Sequence, residues 1–349
     1  MNRSKKRKIV IGIVGLLGIL ASIFFFVSRK PKQESVVQSK KNMEAAFQGE
    51  NLEWDNLEGV VCLFTQRNGT LFDLTQEVVN TKETNTDEER ETAQASNCYR
   101  MYTRRVEDKD AQCVTTFEGE TIRRFCVDEN QNIVYLEEEK SEDQPVMDLV
   151  KVDQSGTEVA RRNLNEITEK KDIELSGMLA DQEGEIVLAC KDTLFFLDDT
   201  LQINNKVSSK QGVFVDIALA KSGQFVCVTD QTDSAEISLK IILLDPQKKQ
   251  WGEEIPIHLD DTTSDFVMDG VDYDFCYKAP SGIGGYHIGS KEKKIIVDYT
   301  DSYMINHDTE GMVDVGGNRF VGKTEHIVGS EKQITLVSYE KKDENSVTQ

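Results

Sequence analysis

From Leu57 onward the chain runs in bursts of four to eight apolar residues, rich in Val, Ile, Phe and Tyr, broken by Asp, Asn, Gly and Ser. That rhythm predicts strands joined by tight turns, because β-branched and aromatic side chains suit a pleated surface and the breaking residues tolerate sharp reversals. The clearest hairpin is VVCLFTQRNGTLFDL, where Asn68 and Gly69 supply two positions tolerant of positive φ. Asn68-Gly69-Thr70 also matches a glycosylation acceptor, but the turn accounts for these residues without sugar.

The pattern then repeats itself. FCVDENQNIVYLEE from Phe125, MLADQEGEIVLACK from Met178, ALAKSGQFVCVTD from Ala218 and VDVGGNRFVGKTE from Val313 each end one strand in a small turn and begin another at once. Second strands are expected near Ile133, Ile186, Phe225, Phe275 and Phe320, at intervals of 53, 39, 50 and 45 residues. Third strands are expected at DLVKVD from Asp148, TLFFLDD from Thr193, KIILLD from Lys240, KIIVDY from Lys294 and ITLVSY from Ile334. Gly282 to Gly285 reads as a reversal between strands. A unit of four strands in roughly 40 to 50 residues has the size of one propeller blade. A lone four-stranded sheet cannot hide both faces from water, whereas radial stacking buries each face against a neighbour. The expected fold is all-β: a β-propeller of about six four-stranded blades over residues 57–342, with uneven intervals that leave room for a seventh. Residues 80–96, NTKETNTDEERETAQAS, have almost no apolar content and read as an exposed insert, and 343–349 as a disordered tail.

The residues ahead of this pattern are of another kind. Ile9 to Val27, IVIGIVGLLGILASIFFFV, is an apolar run in which only Ser22 carries a polar side chain. At ~1.5 Å per residue it reaches ~28 Å, the thickness of a bilayer core. It therefore reads as one N-terminal transmembrane α-helix. Arg3, Lys5, Lys6, Arg7 and Lys8 precede it and Arg29, Lys30 and Lys32 follow, which favours a cytoplasmic tail at 1–8 and the bulk of the chain outside the cell. The bulky end at Phe24, Phe25, Phe26 and Val27 suits an uncleaved anchor better than a signal peptide. Residues 28–56 read as a polar stalk, with a short helix near Lys41 to Phe47.

Charge narrows the partners. The net charge of −21 includes eight basic residues in the first 32, so the remainder carries 33 basic against 62 acidic side chains. A surface that acidic repels phosphate backbones, and no nucleic-acid partner is expected. Seven cysteines, with no CxxC pair, sit mostly inside apolar runs (VVCLF, RFCVD, VLACK, FVCVT, DFCYK) and read as small buried hydrophobes. A bridge between Cys98 and Cys113 is not expected, because a turn centred on Asp108 and Lys109 sets Cys113 opposite a residue near Arg104.

The segments YDFCYKAP, SGIGGYHI, KKIIVDYTDSYMIN, GNRFVGKTE and ITLVSYEKK, in that order, resemble the propeller-like N-terminal region of bacterial extracytoplasmic solute-binding proteins of the Clostridia type. Tyr273, Asp274, Phe275, Tyr277, Gly285, Tyr286, Asp301, Ser302 and Asn306 fall on that family's phrase. Tyr299 stands near the position of the family's Trp, and Met304 replaces an acidic residue. The resemblance covers about 70 residues and implies a propeller associated with solute uptake, with a solute-binding or transporter component as partner. Those proteins continue into an α/β solute-binding domain. This chain reads as the propeller alone, so that domain's ligand binding is not carried over.

No motif names a catalytic, cofactor-binding or metal-ligating residue. Gly282-Ile283-Gly284-Gly285-Tyr286-His287 lacks the last glycine of a dinucleotide fingerprint and opens no helix. His258, His287, His307 and His326 show no paired spacing and read as loop histidines. DDTTSD from Asp260 and DGVDYD from Asp269 do not reproduce a calcium loop and read as solvated. Trp54 and Trp251 read as blade-edge packing rather than a paved binding surface. The function these features favour is a membrane-anchored, non-catalytic binding or scaffold module. A propeller hydrolase or lyase acting on glycans or peptides requires acids or histidines converging on the axis, and a structural spacer requires an uncharged channel mouth.

Overall fold

The computed structural model of the chain describes residues 47–52, 60–77, 97–139, 146–169, 175–231, 238–263, 265–298, 310–328 and 331–341. The apolar segment 9–27, the insert 80–96, the tail 343–349, Trp54 and His307 lie outside the described residues. Among the described residues no helix is long and apolar enough to cross a membrane.

Six four-stranded antiparallel sheets follow one another along the chain. Blade 1 comprises β2 (Val60–Arg67), β3 (Thr70–Gln76), β4 (Asn97–Arg104) and β5 (Gln112–Gly119). Blade 2 holds β6 (Thr121–Val127), β7 (Ile133–Glu139), β8 (Val146–Val152) and β9 (Glu158–Asn163), followed by a single helical turn, α1 (Leu164–Thr168). Blade 3 is β10 (Leu175–Ala180), β11 (Ile186–Cys190), β12 (Thr193–Leu197) and β13 (Ile203–Ser208). Blade 4 is β14 (Val213–Leu219), β15 (Phe225–Asp230), β16 (Leu239–Asp245) and β17 (Gln250–Ile255). Blade 5 is β18 (Val267–Asp269), β19 (Phe275–Ala279), β20 (Gly282–His287) and β21 (Glu292–Asp298). Blade 6 takes β22 (Glu310–Gly316), β23 (Arg319–Val328) and β24 (Glu331–Lys341) from the end of the chain, and its outer strand β1 (Phe47–Asn51) from the beginning. The first strand of each blade lies against the first strand of the next, from β2 through β22 and back to β2. The protein is a closed six-bladed β-propeller.

The closure rests on β1. It pairs antiparallel with β24, Phe47 opposite Lys341 and Asn51 opposite Val337, and Leu52 continues the ladder by donating its N–H to the Leu336 carbonyl at 2.9 Å. These residues fall inside the stretch that the sequence reads as stalk and short helix. Nothing local marks Phe47–Asn51 as a strand, because its partner lies almost 290 residues away in the sequence.

The core is six wedges, one between each pair of neighbouring blades. Blade 3 illustrates why its strands read as unbroken apolar runs: Ile186, Leu188 and Phe195 pack toward blade 2, while Val187, Ala189 and Phe196 pack toward blade 4. A strand buried on both faces needs apolar residues at successive positions rather than alternate ones. α1 adds Leu164 and Ile167 to the wedge between blades 2 and 3, and Asn163 caps it by accepting from the Asn165 N–H at 3.0 Å. Cys126, Cys190, Cys227 and Cys276 are buried in these wedges, and all seven cysteines are free thiols. Cys98 faces Glu118 and Cys113 faces Tyr102 across the β4–β5 ladder, consistent with the expected separation of the two thiols.

At the junction of blades 6 and 1, Leu71 packs with Val321 and Leu336. The next residue on that face of β3 is Asp73, which forms an ion pair with Arg104, both side chains fully buried. Burial pushes the Asp73 carboxyl up to about 7, against the pull of Arg104. On the rim of the same junction Arg319 of blade 6 pairs with Glu107 at 3.1 Å.

The expected second strands at Ile133, Ile186, Phe225, Phe275 and Phe320 are all found. Blade 5 differs in two places. Gly282–His287 is not a reversal but the buried strand β20, and KIIVDY belongs to the fourth strand β21 rather than the third. The glycines are there for packing. Gly284 lies opposite Tyr277 in the β19–β20 register, and a Cβ on it would overlap the Tyr277 ring, 2.7 Å from Cε1. A Cβ on Gly285 would overlap the Tyr273 ring. Gly284→Ala is therefore expected to destabilise the protein by ~1–3 kcal/mol through overpacking. The check is a lower urea midpoint at unchanged slope; an unaltered midpoint would mean that Tyr277 is not seated over the strand.

Candidate functional site at the channel mouth

Where the first strands end and turn into the second, they surround a cavity of about 410 Å³ on the propeller axis. Local turn chemistry holds this rim in place. Asp128 and Asp181 each begin a five-residue turn in which one carboxylate oxygen accepts the N–H groups two and four residues on, at 2.8–2.9 Å. The fourth residue of each turn, Gln131 or Gly184, is left-handed. The same device recurs between the third and fourth strands at Asp153 and Asp198. On blade 1 the reversal is the expected Asn68-Gly69 turn, with both residues at positive φ.

That first hairpin leans over the axis. The Gln66 Oε1 accepts from the Gly69 N–H, while its Nε2 donates to the Asp269 carbonyl of blade 5 at 3.1 Å. Arg67 reaches the other way, donating to the Val127 carbonyl of blade 2 at 2.7 Å and the Asp181 carbonyl of blade 3 at 2.9 Å. Lys221 of blade 4 donates to the Val271 carbonyl of blade 5 at 3.0 Å. Two cations and an amide are thus fixed around the axis by carbonyls at the strand ends. The lining below is mixed: Met178, Leu179, Ile217, Leu219, Val267 and Met312 contribute to it beside Thr65 and Gln182.

Carboxylates also join neighbouring blades along the first strands. Asp216 of β14 accepts the Phe266 and Val267 N–H groups of blade 5 at 2.8 and 3.0 Å. Asp269 of β18 accepts the Leu219 N–H of blade 4 at 2.6 Å, and Asp314 of β22 accepts the Val271 N–H of blade 5 at 2.9 Å. Asp265 and Asp272 accept the Gly311 and Gly317 N–H groups of blade 6. The acidic runs at Asp260 and Asp269 are therefore not simply solvated loops, because several of their carboxylates satisfy amides on neighbouring blades. Burial pushes the Asp216 carboxyl up to about 7 against the amides of Val267 and Phe266, and that of Asp269 up to about 6 against the Leu219 amide and Arg67. Asp128 is held below the usual carboxylate range: its burial is outweighed by hydrogen bonds from Asn132 and Lys151, the latter also in ion-pair contact at 3.0 Å. Burial raises the Cys126 thiol in the same wall to about 12, leaving it protonated.

The other residues singled out in the sequence lie elsewhere. His258 is exposed after β17, and His287 ends β20, its ring tilted against Tyr273 with centroids 4.9 Å apart and its Nδ1 3.9 Å from Asp274. His326 lies in β23, so neither His287 nor His326 is a loop histidine. Trp251 belongs to β17; it stacks on Phe214 at 5.9 Å and donates to the Ser208 carbonyl of blade 3, which is edge packing. Among the described residues no group of three His, Cys, Asp or Glu side chains converges as a metal-binding set. The sequence reading missed Arg67 and Gln66, whose only sequence signal is their position two residues or fewer before the Asn-Gly turn.

No family model matches the chain, and no curated protein matches it. Among solved structures it is similar to a gluconolactonase of Xanthomonas campestris at 11% identity, covering 72% of this chain and 83% of that one with a TM-score of 0.42. TolB of Acinetobacter baumannii matches at 12% identity, 70% and 60% coverage and a TM-score of 0.43. The Pan2 WD40 domain of Neurospora crassa matches at 10% identity, 84% and 95% coverage and a TM-score of 0.38.

Proposed function

We propose that the chain is a non-catalytic binding module that holds a small solute in its axial cavity and works outside the cell from a membrane tether, as an accessory to solute uptake. The observation that carries this reading is the convergence of Gln66, Arg67 and Lys221 on one cavity, each held by a carbonyl of a blade other than its own: blade 5 for Gln66 and Lys221, blades 2 and 3 for Arg67. A few preorganised polar groups beside apolar lining residues are features of a small-molecule site. The charged mouth speaks against a bland spacer. Against the hydrolase or lyase reading stands the commitment of Asp128 and Asp181 to their turns, which leaves Asp269 without a second carboxylate beside it among the described residues that line the cavity. General acid and base pairs need carboxyl groups that face substrate. The apolar segment 9–27 with its basic flanks supports the tether, and the resemblance around Tyr273 to Asn306 supports the link to uptake.

Thermal unfolding of the full-length protein in nanodiscs, against a panel of free amino acids, dicarboxylates, monosaccharides and uronic acids, tests the site. At least one class is expected to raise the melting temperature of the wild type and to leave that of Met178→Trp, which fills the cavity from blade 3, unchanged. No shift with any class, or equal shifts in both proteins, would overturn the reading. The tether is checked by alkaline carbonate extraction and by protease treatment of intact cells. The chain is expected in the membrane pellet and open to cleavage from outside; a chain in the wash, or protected in intact cells, would contradict it.

A further inference from the structure

Resting on that reading of the channel mouth, we infer that the cavity's ligand is an apolar α-amino acid, its carboxylate on Arg67, its ammonium on Asp269 and its side chain against the apolar wall. A guanidinium carries five N–H donors. Arg67 spends one on the Val127 carbonyl and one on the Asp181 carbonyl, and these two bonds fix its plane across the axis. Three donors remain, enough for the two-point grip that guanidinium makes on a carboxylate.

A bare carboxylate is a poor match for the rest of the cavity. Asp269 lines the same space and lies within electrostatic reach of Arg67, with one oxygen given to the Leu219 N–H and the other facing no donor among the described residues. An anion on Arg67 would feel that second negative charge. A ligand with a cation beside its own carboxylate satisfies both groups at once, and an α-amino acid is the smallest that does so. The wall then selects the side chain. Met178, Leu179, Ile217, Leu219, Val267 and Met312 offer no charged partner, so burying a polar side chain among them would leave it unpaired. Lys221 is exposed at the rim and already donates to the Val271 carbonyl, which places it at the entrance rather than among the groups that grip the ligand. A cavity of about 410 Å³ is ample for one amino acid and small for a folded peptide.

Isothermal titration of the full-length protein in detergent micelles with L-leucine, isocaproate and L-leucinamide tests the assignment. Isocaproate lacks the ammonium and leucinamide lacks the carboxylate, so the comparison needs no variant. Leucine is expected to bind and both analogues to bind at least tenfold more weakly. Arg67→Gln should weaken leucine by on the order of tenfold to a hundredfold, the loss of a charge-assisted pair, with Arg67→Lys between the two. Asp269→Asn should abolish the preference for leucine over isocaproate. No heat with leucine, equal affinity for isocaproate, or an unchanged affinity in Arg67→Gln would overturn the inference. If the solute panel shifts the wild-type melting temperature with sugars or dicarboxylates but not with amino acids, the binding module stands and this ligand class falls.

Discussion

A sheet that is apolar on both faces can exist in water only if both faces are covered, and everything else in this protein follows from that constraint. No blade owns a core. Each contributes half of two wedges, so Ile186 and Val187, adjacent in one strand, serve different wedges. Such an arrangement is stable only as a cycle, and a linear chain makes a cycle by lending one end to the other. β1 lies along β24 for that reason, and the ring is closed because the first strand of the described residues completes the last blade.

Closing the cycle brings six strand edges together around one axis, and that creates a second problem. The first strand of each blade has one edge paired within its sheet and one facing the channel or its neighbours, where amides and carbonyls need partners. Asp216, Asp269 and Asp314 supply acceptors to amides across the blade boundaries, while Gln66, Arg67 and Lys221 supply donors to carbonyls at the strand ends. Part of the chain's acidity is therefore structural. The same set of groups gives the channel mouth its charge, so the chemistry that satisfies the ring also furnishes the site.

The repeat was legible in the residues because hairpins are local. Asn68-Gly69, the Asp-headed turns at Asp128 and Asp181, and the apolar runs after them mark strand ends within a few positions, and counting them gives about six blades, the uneven intervals leaving a seventh open. What escaped was non-local. Phe47–Asn51 looks like stalk because only β24 makes it a strand. Gly282 to Gly285 looks like a turn because glycine most often marks one; here the glycines make room for Tyr273 and Tyr277. The acids at Asp265, Asp269 and Asp272 look solvated because the amides they accept from belong to other blades. Arg67 reads as one arm of a hairpin until the ring brings Val127 and Asp181 beneath it.

Native-state hydrogen exchange on the full-length protein addresses the ring most directly. A closed cycle predicts that the amides of residues 47–51 that pair with β24 exchange only by global unfolding, with the same opening free energy as those of β15 in the middle of blade 4. Exchange at 47–51 far faster than at β15, with blade 6 otherwise protected, would mean that the first strand does not hold the propeller shut.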